Sequence, residues 1–433
     1  MGSPGAPDAA GSPFDPPSSG DCNMPLHSSL VPSALAFALA VALPTPSWAQ
    51  EKPANLYIDV ATHAMPGMPG LGAMGRLSGA MSGGGASYGL TQHPAMPGKF
   101  MDVALHNGRQ PGRPAEQAVP HGLGLGNRID LLPPPDRKPV HDGNDGGLGT
   151  GIADGNGTFK IRYYWGCGEA TGAGQPREYS VTIRNGKMVE SGRGITPRKV
   201  PGRAVTPGPD HALWPNQSTR KTVPAKASLV GQHHVTGDKV PASMQFALAG
   251  EHDFLSELKL KGDGGGENGM TLRWSGADGA NGYFAHATVT SGDTIVMWSS
   301  SEDGYAGYEL LDYLPESLVA KWVKARTLLA PDARECHIPK AVFAGGKAAP
   351  MVQMIAYGND RNVVEPRPQG AAQNWKPDWA VRVRSKSTAM LMPGLGALGT
   401  EATGRSTGEE IKEEAKSGVK DAAKGLLRGL LRR

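Results

Sequence analysis

The residues best suited to chemistry in this 433-residue chain are soft metal ligands gathered near its front. His63, Met65, Met68, Met74 and Met81 are followed by His93, Met96 and Met101. Thioethers and imidazoles together suit cuprous copper, which makes His63, Met65, Met68, Met74, His93 and Met96 the candidate metal ligands. Their spacing is irregular, however, and most of the methionines sit in Met-Pro-Gly turns. Methionine also fills irregular packing gaps, so the leading expectation is no cofactor and no metal, with copper handling as the alternative.

Other motifs carry less. Gly-x-Ser-x-Gly occurs twice, as GASYG at 85–89 and GRSTG at 404–408. A hydrolase elbow needs a buried strand before its serine and a helix after it. Both copies lie in glycine-rich sequence without that strand, so no catalytic residue is assigned. Asp142-Gly-Asn144-Asp145-Gly146 suggests a calcium loop, but its glycine falls one place early and Ala153 stands where the closing glutamate belongs; it reads as a linker. His233-His234 lies in a basic loop and reads as solvent-exposed. Glu302 and Asp303 end a strand and could form an acid pair, with no partner to name.

Compartment follows from the front of the chain. Residues 1–23 lack apolar periodicity and read as an upstream extension, with Met24 the better start. Residues 24–49 read as a signal peptide, since Leu30–Leu43 is an apolar run too short to span a bilayer. Ser47 and Ala49 occupy the positions a signal peptidase reads. The expected location is therefore periplasmic or secreted, in a Gram-negative bacterium. Removing the leader discards Cys22 and leaves Cys167 and Cys336, which an oxidising compartment would join as one disulfide. Two separately buried thiols are the alternative.

Glycine (61) and proline (37) make up more than one residue in five, against about 12% in ordinary proteins. They concentrate in residues 50–156, which read as a Gly/Met/Pro-rich, low-complexity, disordered region that cannot offset its chain entropy. Within it only Asn55–Val60 and Phe100–Leu105 look like strands. MPGLGAMG at 68–75 recurs as MPGLGALG at 392–399, which suggests two glycine-rich arms that meet.

From residue 157 the pattern becomes that of strands. Phe159, Ile161, Tyr163 and Trp165 alternate with polar neighbours, as do Tyr179, Val181 and Ile183. Asn185-Gly186 is a strong hairpin turn. Residues 157–240 thus form a hairpin-rich part of the core, with 191–240 a basic surface excursion. Leu314, Leu318, Val319, Trp322 and Val323 share one face of a helix at 315–326. In the strand 379–384, Val381 and Val383 face one way, and Arg382, Arg384 and Lys386 the other, as a solvated row. Residues 392–433 are a linker and an amphipathic helix. Lysines and arginines recur every four residues from Lys412 to Arg432, so 409–433 could lie on a membrane surface.

Residues 271–302 carry the most complete local pattern, three strands separated by two turns. Leu272-x-Trp274, a short turn, then Gly-Ala-Asn-Gly-Tyr283 resembles the second and third strands of fibronectin type III and related immunoglobulin-like sandwiches. The resemblance implies a mainly β, sandwich-like core over 241–391, with Trp274, Tyr283 and Trp165 as core residues. Such sandwiches are scaffolds with many uses, so no ligand site follows. The expected role is a non-enzymatic binding or structural protein of the envelope. Its partners would be an envelope protein or a polysaccharide. A net charge of +4 and export both speak against nucleic acid.

Overall fold

The computed structural model describes residues 52–66, 88–92, 96–135, 157–184, 187–192, 198–201, 205–291, 293–304, 307–344 and 350–393. These are mainly β. The strands in chain order are β1 (Ala54–Ala64), β2 (Gly98–Asn107), β3 (Ala115–Ala118), β4 (Arg128–Leu131), β5 (Gly157–Trp165), β6 (Arg177–Arg184), β7 (Lys187–Gly192) and β8 (Ala212–Trp214). They continue with β9 (Gly231–Gly237), β10 (Gln245–Leu248), β11 (Lys259–Gly264), β12 (Met270–Ser275), β13 (Gly282–Ser291) and β14 (Thr294–Ser299). After α1 (Glu316–Lys324) come β15 (Glu335–Ile338), β16 (Met351–Val364) and β17 (Trp379–Leu391).

One ten-stranded sheet, in the order β7-β6-β5-β14-β13-β16-β17-β1-β2-β8, runs through the whole arrangement. Two smaller sheets, β10-β9-β3-β4 and β11-β12-β15, pack on it. Within the large sheet, β14, β13, β16 and β17 are joined by antiparallel ladders, and so are β11, β12 and β15 in theirs. The large sheet is widened on either side through its two parallel pairings, β14 with β5 and β17 with β1.

Strand alternation sorts the cores. Leu260, Leu272, Trp274 and Ile338 of the three-stranded sheet meet Tyr283, Ala285, Val296, Trp298 and Met354. Trp274 and Tyr283 are in ring contact, with centroids 5.6 Å apart. Leu56, Ile58, Val60, Val103, Val381 and Val383 meet Ile129, Val235 and Phe246 of the four-stranded sheet in a second core. On the opposite face Phe284, Ile355 and Tyr357 bury Val319 and Trp322 of α1 in a third. The helix is shorter than the expected 315–326 because Pro315 sits at its N-cap and Ala325 at its C-cap. The indole of Trp298 is fully buried, and its N–H donates to the Gly166 carbonyl at 2.9 Å.

Several expectations need correcting. Residues 50–156 supply β1 to β4, and β1 lies inside the large sheet with both edges paired. The sequence shows a strand there only over Asn55–Val60, because the neighbours that extend it and place it inside the sheet come from far along the chain. The excursion 191–240 likewise contains β8 and β9. Trp165 is only half-buried. It ends β5 on the face away from the three-stranded sheet, whereas its neighbour Tyr164 enters that core. Arg177 lies 5.4 Å over the Trp165 ring instead.

At Gly358 in β16 the register with β17 shifts between Tyr357 and Asp360. A Cβ there would sit 2.2 Å from Ser385 Oγ, so only glycine allows this close approach. The shift brings Asp360 opposite Arg384.

Candidate functional site

β17 is buried on both faces, and its second face is charged. Arg384, Lys386 and Arg382 are 2%, 1% and 9% exposed. The solvated row read from the sequence is thus an internal one. Arg384 stands directly opposite Asp59 of β1 and donates through Nε and Nη2 to its two carboxylate oxygens at 2.7 and 2.5 Å. Burial disfavours the guanidinium charge, but the Asp59 carboxylate outweighs it and keeps Arg384 firmly protonated. Lys386 Nζ donates to Asp312 at 2.7 Å. Burial would raise the Asp312 carboxyl, yet the Lys386 charge holds it below the usual range.

Tyr313 sits against both cations, its ring 4.4 Å from the Arg384 guanidinium and 4.3 Å from the Lys386 ammonium. Its hydroxyl donates to the Val60 carbonyl at 2.8 Å. Burial, and then the Asp59 charge, push that hydroxyl far above the ordinary tyrosine range. Arg382 lies 4.9 Å over the Tyr57 ring. Cations over aromatic faces contribute about 2 kcal/mol or more when desolvated.

A second set continues the cluster onto β2. The Asp102 carboxylate accepts from the Gly89 and Thr91 amides at 2.9 and 3.1 Å and from the Thr91 hydroxyl. Burial, with a smaller contribution from the Asp59 charge, pushes Asp102 up to about 6 against those hydrogen bonds. His63 holds the same segment: its Nε2 lies 3.2 Å from the Leu90 carbonyl and its Nδ1 2.7 Å from Thr388 Oγ1. Since a carbonyl only accepts, Nε2 carries the proton and Nδ1 accepts from threonine. Chemically the cluster neutralises itself. It clamps residues 88–92 and 308–313 onto the outer face of the sheet.

The raised Asp102 makes a testable statement about pH. Between about pH 4 and 6 the folded state holds a proton that the unfolded chain releases, so stability falls as pH rises through that window. A shift from 3.8 to about 6 corresponds to about 3 kcal/mol. Unfolding free energies of wild type and Asp102→Asn from urea titrations should therefore change relative to each other by about 2 kcal/mol from pH 4 to 6.5, the wild type losing ground. A constant difference across the range rejects the assignment.

Of the candidate copper ligands, His63 is buried with both ring nitrogens engaged in hydrogen bonds. Met65 lines an open cleft of about 520 Å³ at the end of β1 and β2, together with Pro97, Lys99, Ser256 and Glu257. Lys99 donates to the Ala227 carbonyl at 2.8 Å, and burial lowers its ammonium. Met96 is half-buried. Met101 belongs to the core on the four-stranded sheet. Met68, Met74, Met81 and His93 lie outside the described residues, as do Ser87, the 404–408 motif, residues 142–153 and the tail 409–433.

His233 is not solvent-exposed: it is 1% accessible and stacks on Phe246 with ring centroids 5.2 Å apart. Its Nε2 donates to the Leu229 carbonyl at 2.8 Å, which leaves Nδ1 to accept from Gln117 at 3.0 Å. Burial depresses its basicity. Glu302 and Asp303 do not act as a pair either. Glu302 bonds Arg326, whereas Asp303 takes Arg198 and the Thr327 hydroxyl.

Cys167 and Cys336 are joined by a disulfide, with Cα atoms 5.1 Å apart. It ties the loop after β5 to β15 of the three-stranded sheet. Among the described residues no helix is long and apolar enough to cross a membrane. The chain matches no protein-family model, no curated protein and no solved structure.

Proposed function

We propose that this chain is a secreted or periplasmic, non-enzymatic binding or structural protein whose centre is a fibronectin type III-like sandwich. The observation that carries the compartment is the Cys167–Cys336 disulfide, because such bridges persist where the surroundings are oxidising. Strand order supports the module. In an immunoglobulin-type sandwich the first, second and fifth strands share one sheet, and the third, sixth and seventh the other. β11, β12 and β15 stand in the first relation, and β13, β16 and β17 in the second. Trp274 and Tyr283 then meet across the sandwich from its second and third strands.

The outer-face charges favour a scaffold. Asp59, Arg384, Asp312 and Lys386 spend their hydrogen bonds on one another, so their work is to hold the widened sheet and its two clamped segments. Partners of an envelope kind, protein or polysaccharide, fit a scaffold in that compartment. Residues 409–433 are assigned to a membrane surface, which liposome co-sedimentation with and without them checks. The copper alternative requires His63 to give up its present hydrogen bonds, and a cuprous titration of the mature chain decides it.

Expression from Met24 in a Gram-negative host tests the main reading. The expected product is an exported chain that begins at Gln50 and has no titratable thiol before reduction. A full-length cytoplasmic chain with free thiols at Cys167 and Cys336 would overturn it.

A further inference from the structure

β5, β6 and β7 close one end of the large sheet. Tyr164 of β5 enters the core beneath the three-stranded sheet, so its neighbours Tyr163 and Trp165 stand on the outer face. β6 adds two residues to that face, since its register puts Arg177 opposite Tyr163 and Tyr179 opposite Ile161. The rings of Tyr163 and Tyr179 stack diagonally, with centroids 5.9 Å apart and planes 15° from parallel. The Arg177 guanidinium lies over the Trp165 ring. All four side chains are half-buried. On the β7 side, Gly192 stands opposite Tyr179 and brings no side chain over it.

The group is held in place. The Gln175 side chain accepts from the Trp165 amide at 2.9 Å and donates to the Trp165 carbonyl at 3.0 Å. Glu178, next to Arg177 in the chain, faces the other side of the sheet and pairs there with Arg162. Among the described residues Arg177 has no ion pair, only its place over the indole.

An aromatic ring offers an electron-rich face, which suits the apolar C–H face of a sugar ring. A guanidinium matches the planar geometry of a carboxylate. The surrounding charge has the complementary sign. Of the described residues between 157 and 201, seven are lysine or arginine and three are glutamate. That surplus equals the net +4 of the whole chain.

We propose that this outer face of β5 and β6 binds a polysaccharide that carries uronic acid carboxylates. One sugar stacks on the Tyr179 face turned away from Tyr163, and Trp165 holds Arg177 for a carboxylate of the same polymer. The proposal rests on the reading of the chain as an envelope binding protein, and names its partner class.

Calorimetric titration of the full mature chain with polygalacturonate tests this, with neutral dextran and inorganic polyphosphate as controls. Wild type should bind polygalacturonate more tightly than either control. Tyr179→Ala should weaken that binding about 10-fold, and Arg177→Gln should weaken it and reduce its dependence on salt. Equal affinity for polyphosphate, an unchanged Tyr179→Ala, or binding to anionic phospholipid vesicles alone overturns the site. If circular dichroism shows that Tyr179→Ala does not fold, hydroxyl-radical footprinting of wild type decides. Polygalacturonate should protect Tyr179 and Trp165, and unchanged labelling of both overturns the site. Its failure would leave the compartment standing, because export and the thiol state are measured separately.

Discussion

Replacing Arg384 with methionine should destabilise the chain by about 3–5 kcal/mol, the cost of removing one member of a buried ion pair. Asp59 and Arg384 are 4% and 3% exposed, so the carboxylate left behind could not recover its lost bonds from water. It would instead take up a proton or draw water into the sheet. The neighbouring Tyr313 ring would lose one of its two cations, which predicts faster amide exchange at 308–313. Urea midpoints measure the global loss and hydrogen exchange the local one. The double variant Asp59→Asn/Arg384→Met is the control. With both charges gone the desolvation cost disappears as well, so it should be more stable than Arg384→Met alone. If its loss equals the sum of the two single losses, the pair is uncoupled and the clamp is misassigned.

How far the fold could be read from the sequence depended on where each strand's partners lie. β5, β6, β7, β12, β13 and β14 announce themselves because their alternation is long and their neighbours are local. β14, for instance, follows β13 after a short turn. Alternation fails for β17 for a physical reason. Val381 and Val383 against Arg382, Arg384 and Lys386 is the pattern of a strand with one wet face. It is equally the pattern of a strand whose second face is filled by ion pairs, and the Asp59 partner is 325 residues away. A bulge glycine, Gly358, and the acid in a short apolar strand, Asp59, were the signals available, and neither is specific alone. β1 and β17, which precede the two copies of the MPGLGA stretch, are parallel neighbours ending in the pair Ala64–Ala389; the copies themselves fall almost wholly outside the described residues. His233 misled because a histidine pair among basic residues looks wet, while burial beside Phe246 and Gln117 was invisible locally.

The second large effect belongs to the disulfide. Cys167 and Cys336 are separated by 169 residues, and closing a loop of that length removes enough unfolded-chain freedom to contribute about 5 kcal/mol in the entropic model. Cys167→Ala/Cys336→Ala should therefore unfold at a clearly lower urea concentration than wild type. Wild type in strong reductant should fall to the midpoint of the variant, and reductant should leave the variant unmoved. The order of events matters more than the size. β12 pairs Leu272 with Cys336 inside the three-stranded sheet, whereas Cys167 follows Gly166, whose carbonyl takes the Trp298 indole. Cutting the bridge frees the loop side first, because Cys336 is buried in the core and Cys167 is exposed. Amide exchange should rise over 157–192 before it rises in β12 or β15. If both regions open together, the bridge secures the three-stranded sheet as well, and β5, β6 and β7 would be part of the same cooperative unit as β11, β12 and β15.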